Sequence, residues 1–369
     1  MKIAQVDIYA YKLTYTHGEY VMSGGRAASS QESTAVRLRT DAGIEGWGEV
    51  ATLGGTYLPA FAGGVRAALI ELAPHLIGLD PCSISQVNRV LDGLLLGQQA
   101  AKSPIDIACW DILGKAAGMP VAQLLGGVLQ QDFPLYEAIP LGAPEEMARF
   151  AASRQADGVN AFQVKVGNEP RQDVARTRTV LDAVEPETAL VADANGGWDL
   201  ARAQIAMREM QGMPVFVEQP CRALQDCAIV QRASSLPLSL DESVTAAGDL
   251  HRAKYEAGAC AVNIKLSRVG GLSRAAAMRD HACELAMRVS LEDTWGGDLT
   301  TAAVSHLAAS TPPEHLLLVS FMNDWTNEHL AGYLPRSGGG RGSAPSGAGL
   351  GVEVDLSQLD EPLFSVNAQ

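Results

Sequence analysis

The sequence predicts an α/β fold in which a barrel of alternating strands and helices carries a separate α+β capping domain. Three observations predict it: alternating polar and apolar residues near the N-terminus, a change to helical periodicity, and then short β-rich segments separated by alanine-rich amphipathic segments. We expect the capping domain to span residues 1–125 and the barrel residues 126–330. A C-terminal segment, residues 331–369, is expected to return to the cap.

The capping domain begins with segments that alternate like strands, such as "STAVRLRT" (33–40) and "DAGIEGWGEV" (41–50), with a turn at "TDAG" between them. From about residue 60 to 118 the period is helical. In the last of these segments we expect Ser103 as the N-cap, Pro104 as the first helical residue and Gly118 as the stop. The pattern therefore predicts antiparallel strands followed by helices.

Eight β-rich segments follow, and they alternate with helical ones: "PLYEAI", "AFQVKV", "ALVADA", "VFVEQP", "PLSLDE", "AVNIKL", "RVSLED" and "LLLVSF". Repeated βα units predict a parallel sheet, and eight strands indicate a closed barrel. An open doubly wound sheet is the alternative, but its glycine-rich phosphate turn is missing from the sequence. After the barrel, the glycine-rich stretch 336–351 is typical of a flexible linker, and "VEVDL" (352–356) is the segment expected to rejoin the cap.

Composition and charge limit the classes of function. Of 369 residues, 47% are hydrophobic and 19% charged, as in ordinary globular proteins. The formal net charge of −14 argues against nucleic-acid or anionic-membrane partners, although a metal site would still allow a small anionic substrate. No apolar run approaches the ~20 residues that span a bilayer, and the six cysteines lack metal-binding spacing. We therefore expect a cytoplasmic protein with reduced thiols.

Charged residues end six consecutive barrel strands, at intervals of 23 to 28 residues: Lys165, Asp193, Glu218, Asp241, Lys265 and Asp293. Because the carboxyl ends of barrel strands meet at one face, where active sites of this fold lie, we expect these side chains to converge. Three adjacent ionised carboxylates require a cation, and oxygen ligands without histidine or cysteine favour Mg²⁺. The structural alternative is a ring of salt bridges with the two lysines.

The two lysines flank the three carboxylate strands, so Lys165 and Lys265 are expected to face each other across the metal. A nearby cation and burial both favour the neutral amine, which makes a lysine a competent general base. The chemistry predicted from these residues is removal of the proton next to a substrate carboxylate, with Mg²⁺ stabilising the enediolate.

Four motifs carry a resemblance to a known family: "DANGGW" (193–198), "EQP" (218–220), "DES" (241–243) and "NIKLSRVGG" (263–271). In their order and spacing, the sequence resembles the enolase superfamily, in its mandelate racemase/muconate-lactonizing group, whose sites are a known example of a lysine or histidine base working with Mg²⁺. The resemblance implies a modified TIM barrel of the (β/α)7β type with an α+β capping domain. It also implies Mg²⁺ as cofactor and an even-numbered homo-oligomer.

Carried to this sequence, the resemblance implies that Asp193, Glu218 and Asp241 are the metal ligands. Lys165 and Lys265 become the acid/base pair of the muconate-lactonizing arrangement, since none of the seven histidines ends a barrel strand. Asn195 is expected beside the metal ligands, and Glu242 is expected to pair with Lys265. Gln163 departs from the family pattern, which often has a lysine two residues before Lys165, and we expect it to hydrogen-bond substrate or metal-bound water.

Substrate selection is expected from two cap loops and from the last strand ends. The loops "TYTHGEYVMSGGR" (14–26) and "TLGGTYLPA" (52–60) bring Tyr20 and Tyr57 as candidate substrate contacts. At the seventh and eighth strand ends, Asp293, Trp295 and Asp324, with Trp325, are candidates to hold a cationic group by ion pairing and cation–π contact. A small carboxylate substrate with an amino group, hence an amino-acid derivative, satisfies both predictions.

The "SGGR", "GTYLP" and "SPIDIACWDILG" stretches resemble the branch that acts on proline derivatives. The resemblance implies a lyase similar to cis-3-hydroxy-L-proline dehydratases, in which one lysine takes the α-proton and the 3-hydroxyl leaves. Epimerisation of proline betaine, hydroxyproline betaine or another amino-acid derivative is the alternative, since it needs two bases and the sequence has two. From other classes, a Schiff-base aldolase and a non-catalytic barrel remain open.

Overall fold

The N-terminal part of the chain is an antiparallel sheet covered by helices. The computed structural model describes residues 1–368. Its first elements are β1 (Ile3–Thr14), β2 (Tyr20–Val21), β3 (Ala27–Ala28), β4 (Ser30–Thr40), β5 (Glu45–Ala51), α1 (Ala62–Leu72), α2 (Ile84–Leu94), α3 (Gln99–Ala117) and α4 (Val121–Leu124). Strands β1, β4 and β5 pair antiparallel, and β2 pairs with β3 in the loop between β1 and β4. This is the α+β cap that the alternating pattern predicts.

Helix α3 lies directly on β5 because two glycines leave room for it. A Cβ atom at Gly46 would lie 2.2 Å from the carbonyl oxygen of Ala108, and one at Gly48 would lie 2.0 Å from that of Pro104. The helix begins at Gln99, so the expected start at Ser103 and Pro104 is wrong, whereas Gly118 ends the helix in the left-handed region with φ 66°. Pro104 has no backbone N–H and so costs the helix one hydrogen bond. Burial of the first turns against the sheet stabilises the helix by more than this loss.

Eight parallel strands form the second part of the molecule. After the short strand β6 (Phe133–Pro134), they are β7 (Glu137–Ile139), β8 (Ala161–Lys165), β9 (Ala189–Asp193), β10 (Phe216–Glu218), β11 (Leu238–Leu240), β12 (Ala261–Lys265), β13 (Arg288–Glu292) and β14 (Leu316–Val319). They pair in sequence order from β7 to β14. The Tyr136 N–H donates to the Val319 carbonyl at 2.9 Å and joins the two ends of the sheet. The barrel prediction is confirmed, and the doubly wound alternative is excluded because its strand order reverses.

Each of the first seven barrel strands is followed by a helix, whereas β14 is followed by a 3₁₀ turn at Met322–Trp325. The helices are α5 (Pro144–Ala156), α6 (Pro170–Ala183), α7 (Leu200–Glu209), α8 (Leu224–Gln231), α9 (Asp249–His251) continuing as a π-helical turn (Arg252–Glu256), α10 (Leu266–Val269), α11 (Leu272–Glu284) and α12 (Asp298–Ala309). This is the (β/α)7β arrangement. Within residues 1–368, none of the helices has the length and apolarity needed to cross a membrane.

The C-terminal segment runs back over the barrel to the cap. Strand β15 (Arg341–Gly342) pairs with β6, and β16 (Phe364–Asn367) pairs antiparallel with β1 at the edge of the cap sheet. Pairing with the cap sheet begins at Phe364, after the segment 352–356 that was expected to rejoin the cap. The glycine-rich stretch before it is not a free linker. Gly349 accepts a hydrogen bond from the Val121 N–H, and the Leu350 N–H donates to Asp111 at 2.8 Å.

Buried carboxylates of the cap hold the amino ends of barrel helices. Glu49, on β5, accepts hydrogen bonds from the N–H groups of Gly297 (2.8 Å) and Thr300 (3.0 Å) at the start of α12. Asp106, on α3, accepts one from the Ser273 N–H (2.9 Å) at the start of α11. Helix N-termini have unpaired N–H groups and a positive dipole end, so these contacts fix the cap over the carboxyl ends of the barrel strands.

Candidate active site

Lys165 reaches the interior of the barrel from the last position of β8. It is paired in register with Asp193 on β9, and its Nζ atom lies 2.5 Å from Asp193 Oδ2. Both side chains are buried. Burial by itself lowers the pKa of Lys165, but the Asp193 carboxylate outweighs it and raises the pKa above the usual value for lysine. The lowered pKa expected for Lys165 beside a bound metal ion stays a prediction.

Lys265 enters the same interior from the end of β12. Its Nζ atom lies 3.1 Å from Asp241 Oδ2 and 3.0 Å from Glu292 Oε1, and it donates a hydrogen bond to the Tyr57 hydroxyl at 2.8 Å. The expected partner was Glu242. That expectation is wrong: Glu242 Oε1 accepts a hydrogen bond from Asn195 Nδ2 at 3.1 Å instead. The two lysines therefore have different sets of partners.

The three predicted metal ligands end adjacent strands between the two lysines. Glu218 on β10 is in register with Asp193, and Asp241 directly follows β11. Within residues 1–368, the Glu218 carboxylate accepts hydrogen bonds only from side-chain amides: Asn263 Nδ2 at 3.2 Å and Gln163 Nε2 at 3.5 Å. Burial, together with the negative charges of Asp193 and Asp241, raises the pKa of Glu218 well above its usual range. The strand ends thus bring an excess of negative charge together.

Cationic side chains hold two of these carboxylates. Lys165 contacts Asp193, while Arg268 and Lys265 contact Asp241 and lower its pKa to about 2 although burial opposes this. Within residues 1–368, no three histidine, cysteine or acidic side chains are arranged as a ready group of metal ligands. The salt bridges expected as the structural alternative are thus present.

The residues nevertheless fit a hard divalent cation. The cluster holds five carboxylates (Asp193, Glu218, Asp241, Glu242 and Glu292) against three cationic side chains (Lys165, Lys265 and Arg268). In the described part of the chain, Asn195 Oδ1 and Glu242 Oε2 are shielded from solvent and accept no hydrogen bond. Such oxygens are costly to bury unless a ligand satisfies them. An oxygen-rich site with surplus negative charge is the kind that Mg²⁺ occupies.

Asn195 connects the carboxylates on either side of Glu218. Its backbone N–H donates to Asp193 Oδ1 at 2.8 Å, and its side-chain amide donates to both Asp193 and Glu242. The residue adopts φ 46°, a left-handed conformation that asparagine tolerates better than most residues. Burial and the neighbouring Asp241 charge raise the pKa of Glu242 to about 7. Asn195 therefore lies against the predicted metal ligand Asp193 and joins it to Glu242.

Three residues at the site were missed by the sequence argument: Asn263, Arg268 and Glu292. Alternation along the strands could have found two of them, because Asn263 and Lys265 point to one face of β12. They pair in register with Ser290 and Glu292 on β13. Glu292 therefore faces Lys265 from the neighbouring strand, and the expected Asp293, which follows it, also lines the central cavity. Arg268 gives no such signal, since it lies on the short helix α10.

The two cap loops place one tyrosine against each lysine. The Tyr57 hydroxyl donates to Asp241 Oδ2 at 3.1 Å as well as accepting from Lys265. Lys165 Nζ lies 5.9 Å from the centre of the Tyr20 ring, within range of a cation–π contact. Both predicted cap residues thus reach the interior of the barrel.

Aromatic rings form one wall of the site. The rings of Tyr20, Trp295 and Trp325 contact one another, with centroids 5.6 to 6.3 Å apart, and Tyr136 packs against Trp325 at 6.2 Å. Within residues 1–368, the buried Nε1 of Trp295 has no hydrogen-bond acceptor. The predicted Trp295 and Trp325 therefore lie together at one side of the cavity.

Neither predicted aspartate faces this wall freely. Asp293 accepts hydrogen bonds from the Ser267 and Thr294 N–H groups, at 3.0 and 2.7 Å. Asp324 lies behind Trp325 in a separate cavity with Glu137 and Arg154, and accepts a hydrogen bond from the Tyr333 hydroxyl at 2.9 Å. The structure therefore does not bring Asp324 to the central cavity, and the expectation for it is wrong.

The central cavity is small, while a wider groove lies beside it. The space between the two lysines and the aromatic wall has a volume of about 20 Å³, enough for a single water molecule. The groove, of about 970 Å³, runs between the 52–61 loop, α1 and the start of α3, and touches Glu242 and Arg268 at its inner end. The central cavity is therefore too small in this structure for a compound of amino-acid size.

Comparisons with known proteins agree with this architecture. Residues 13–126 match the family described as mandelate racemase/muconate lactonizing enzyme, N-terminal domain, and residues 146–358 match the enolase C-terminal domain-like family. The chain therefore belongs to the mandelate racemase/muconate lactonizing enzyme family of the enolase superfamily. It is an enzyme of that superfamily, which confirms the resemblance inferred from its motifs.

Characterised relatives include both an eliminating and a racemising enzyme. The chain is 40% identical to cis-3-hydroxy-L-proline dehydratase from Roseibium aggregatum, covering 98% of this chain and 99% of the relative. It is 30% identical to N-succinyl-L-Arg/Lys racemase from Bacillus cereus, covering 98% of each. Both of these relatives thus act on small compounds derived from amino acids.

Solved structures match over the whole chain. A mandelate racemase/muconate lactonizing enzyme from Roseovarius nubinhibens ISM has a TM-score of 0.96 at 36% identity, covering 100% of this chain and 99% of the other. A second protein from that organism, solved with magnesium, has a TM-score of 0.95 at 33% identity, covering 99% and 100%. The second of these structures thus contains magnesium.

Proposed function

We propose that this protein is a Mg²⁺-dependent enzyme that removes the α-proton of a small carboxylate substrate, and that the reaction is dehydration of cis-3-hydroxy-L-proline or a close analogue. The observation that carries the proposal is the pair Lys165 and Lys265, which enter one cavity from β8 and β12 with three carboxylate strands between them. A Schiff-base aldolase needs a reactive lysine but gives no reason for the three carboxylates.

Asp193, Glu218 and Asp241 would hold the metal ion. Bound Mg²⁺ would draw negative charge from the substrate carboxylate and so make the adjacent α-proton more acidic. Asp193 and Asp241 would then turn from the lysines toward the ion, which frees the amines to face the substrate. Asn195 keeps Asp193 in place through its backbone and side-chain hydrogen bonds.

The dehydration needs one base and one acid. One lysine amine takes the α-proton, the C3–O bond breaks, and the ammonium group of the other lysine gives a proton to the departing hydroxyl. Water leaves, and the unsaturated ring tautomerises to a pyrroline carboxylate. The 40% identity to cis-3-hydroxy-L-proline dehydratase supports this choice of substrate. The aromatic wall of Tyr20, Trp295 and Trp325 would contact the ring and its ammonium group.

The domains would divide this work. Residues 1–125 would supply the loops that carry Tyr20 and Tyr57, residues 126–330 the acid/base and metal-binding groups, and residues 331–369 the connection between them. Gly24, Gly25 and Gly54, which have φ values of 69°, 72° and 82°, suit loops that open for the substrate. We also expect an even-numbered homo-oligomer, which sedimentation would measure, and a cytoplasmic location.

A single experiment tests this proposal. The full chain with Mg²⁺ is incubated in D₂O with cis-3-hydroxy-L-proline, and separately with hydroxyproline betaine, and the products are followed by NMR. We expect a pyrroline product from the first compound. Absence of any reaction with either compound would overturn the proposed substrate class.

Epimerisation is the second candidate, and one observation favours it. Both lysines face the cavity, and exchange of a proton between opposite faces of a carbon needs two such groups. The racemase from Bacillus cereus supports this candidate among the relatives. In the same NMR experiment, α-deuterium with inverted configuration and no pyrroline would identify the protein as an epimerase.

A further inference from the structure

The surroundings of the two lysines are nearly symmetric in one respect. Gln163 and Asn263 each stand two residues before a lysine, so each shares a strand face with it. Both amides donate to Glu218, Gln163 at 3.5 Å and Asn263 at 3.2 Å. Glu218 is therefore flanked by a neutral donor from each lysine strand, and the amide pair does not distinguish Lys165 from Lys265.

Glu292 breaks this symmetry. It is in register with Lys265 on the neighbouring strand β13, and its Oε1 atom lies 3.0 Å from Lys265 Nζ. On the other side, β7 pairs with β8 only as far as Ile139 and Val164, so the pairing ends one residue before Lys165. Lys265 therefore has a carboxylate partner on its outer neighbouring strand, and Lys165 has an aromatic ring, that of Tyr20.

The Glu292 side chain is itself held in place. Asn263 Nδ2 donates to the same Oε1 atom at 2.7 Å, and Glu292 is 3% exposed. Asn263 thus links Glu292 to Glu218, so the carboxylate that faces Lys265 is tied to the centre of the site. A carboxylate with a fixed rotamer can hold a long, flexible ammonium side chain in one direction.

We propose that Glu292 is a positioning residue that holds the Lys265 ammonium in the cavity when Asp241 turns to the metal ion. The inference rests on the proposed function, in which Asp241 is shared between lysine and metal. Glu292 lies on the seventh barrel strand, outside the three predicted ligand strands, so its contact with Lys265 does not compete with metal binding. Lys265 then keeps one carboxylate partner throughout the reaction, whereas Lys165 loses its contact with Asp193.

The first test needs no substrate. The full chain, with Mg²⁺, is treated with formaldehyde and cyanoborohydride, and methylation of Lys165 and Lys265 is measured by mass spectrometry. In Glu292→Gln, which removes the counter-charge, we expect the Lys265-to-Lys165 labelling ratio to rise by about threefold or more. Glu292→Asp keeps the charge and should leave the ratio nearer to that of the wild type. An unchanged ratio in Glu292→Gln would overturn the proposal.

A matched control is Glu137→Gln. Glu137 is also a buried barrel-strand carboxylate with a cationic partner, Arg154 at 2.7 Å, but it lies outside the central cavity. Its substitution should leave the labelling ratio unchanged. A rise equal to that of Glu292→Gln would mean that any lost buried charge loosens the barrel, and would equally contradict the proposal. Thermal unfolding of each variant checks that the protein compared is folded.

The second test uses turnover of cis-3-hydroxy-L-proline. If Glu292 holds Lys265 for proton transfer, its loss slows the reaction of bound substrate more than it weakens substrate binding. Glu292→Gln should therefore lower kcat by about tenfold while KM changes by less than about threefold. A changed KM with unchanged kcat would contradict the positioning role. If the wild type does not act on this compound, the proposed substrate fails, while the labelling ratio still decides the role of Glu292.

Discussion

The hydroxyl of Tyr57, carried by a loop of the cap, donates to Asp241 and accepts from Lys265 within the barrel. One phenol thus connects a predicted metal ligand to a predicted acid/base residue, and both contacts cross between domains. Burial and the Asp241 charge raise the pKa of Tyr57 well above its usual value, so the hydroxyl stays protonated and remains a donor. A movement of the cap loop that carries Tyr57 would therefore also change the contacts of Asp241 and Lys265.

Removing the Tyr57 hydroxyl tests this coupling. Tyr57→Phe keeps the ring but loses both hydrogen bonds, and hydrogen bonds to charged groups are worth about 1.5–3 kcal/mol, so we expect kcat/KM to fall by about tenfold or more. The measurement is steady-state kinetics on the confirmed substrate. Tyr255→Phe, at an exposed tyrosine, is the matched control and should change nothing. Full activity of Tyr57→Phe would mean that the loop acts only as a cover.

Truncating either lysine tests the acid/base proposal. Lys165→Ala and Lys265→Ala should each lower kcat by about 10³-fold, since proton transfer by a positioned group contributes roughly 10²- to 10⁴-fold. The rate of α-proton exchange in D₂O, followed by NMR, is the measurement. Lys12→Ala, at an exposed lysine of β1, is the control for loss of a lysine. The acid/base proposal would be wrong if both variants kept wild-type turnover.

Metal removal tests the role of the three carboxylates. We expect chelation by EDTA to abolish turnover and added Mg²⁺ to restore it, because the uncompensated charge around Glu218 needs a cation. Glu218→Gln should weaken Mg²⁺ binding, measured by isothermal titration calorimetry, without unfolding the barrel. Turnover that survives chelation, with borohydride trapping a substrate on a lysine, would favour a Schiff-base mechanism instead.

His306 should make stability depend on pH. It is buried in α12, where Nδ1 accepts from the Ala122 N–H at 3.2 Å and Nε2 donates to the Leu350 carbonyl at 3.0 Å. Burial lowers its pKa from 6.5 to about 4. Below pH 6.5 the unfolded chain therefore binds a proton at this histidine that the folded chain does not bind. The free energy of unfolding consequently falls by about 2 kcal/mol by pH 5.

Urea unfolding of the wild type and of His306→Gln, at pH 7.5 and pH 5, measures this effect. The difference in unfolding free energy between the two proteins should shrink by about 2 kcal/mol at the lower pH, because only the wild type carries the titrating ring. Buried carboxyls titrate in both proteins and cancel in the difference. A difference that stays constant with pH would show that His306 is not kept neutral in the folded protein.

Sequence alone predicted the elements that depend on local pattern. Alternation of strands with amphipathic helices identified the barrel, and six regularly spaced strand ends identified Lys165, Asp193, Glu218, Asp241 and Lys265 as neighbours. Chain topology is enough for this, because parallel strands place their carboxyl ends on one face. At the last strands the same argument missed Glu292 and chose Asp324, where small differences in register and loop path decide which side chain points inward.

Only the tertiary structure decided the contacts between distant segments of the chain. It paired Lys265 with Glu292 rather than Glu242, placed Tyr20 and Tyr57 against the lysines, and started α3 at Gln99 because packing on β5 outweighs the local preference of Pro104. The pKa of Lys165 also depends on these contacts, since a carboxylate 2.5 Å away outweighs the lowering that burial causes. The periodicity of a segment indicates which face of a helix or strand is buried. It does not indicate the charge or the distance of the side chain that contacts that face, because this side chain belongs to another part of the chain.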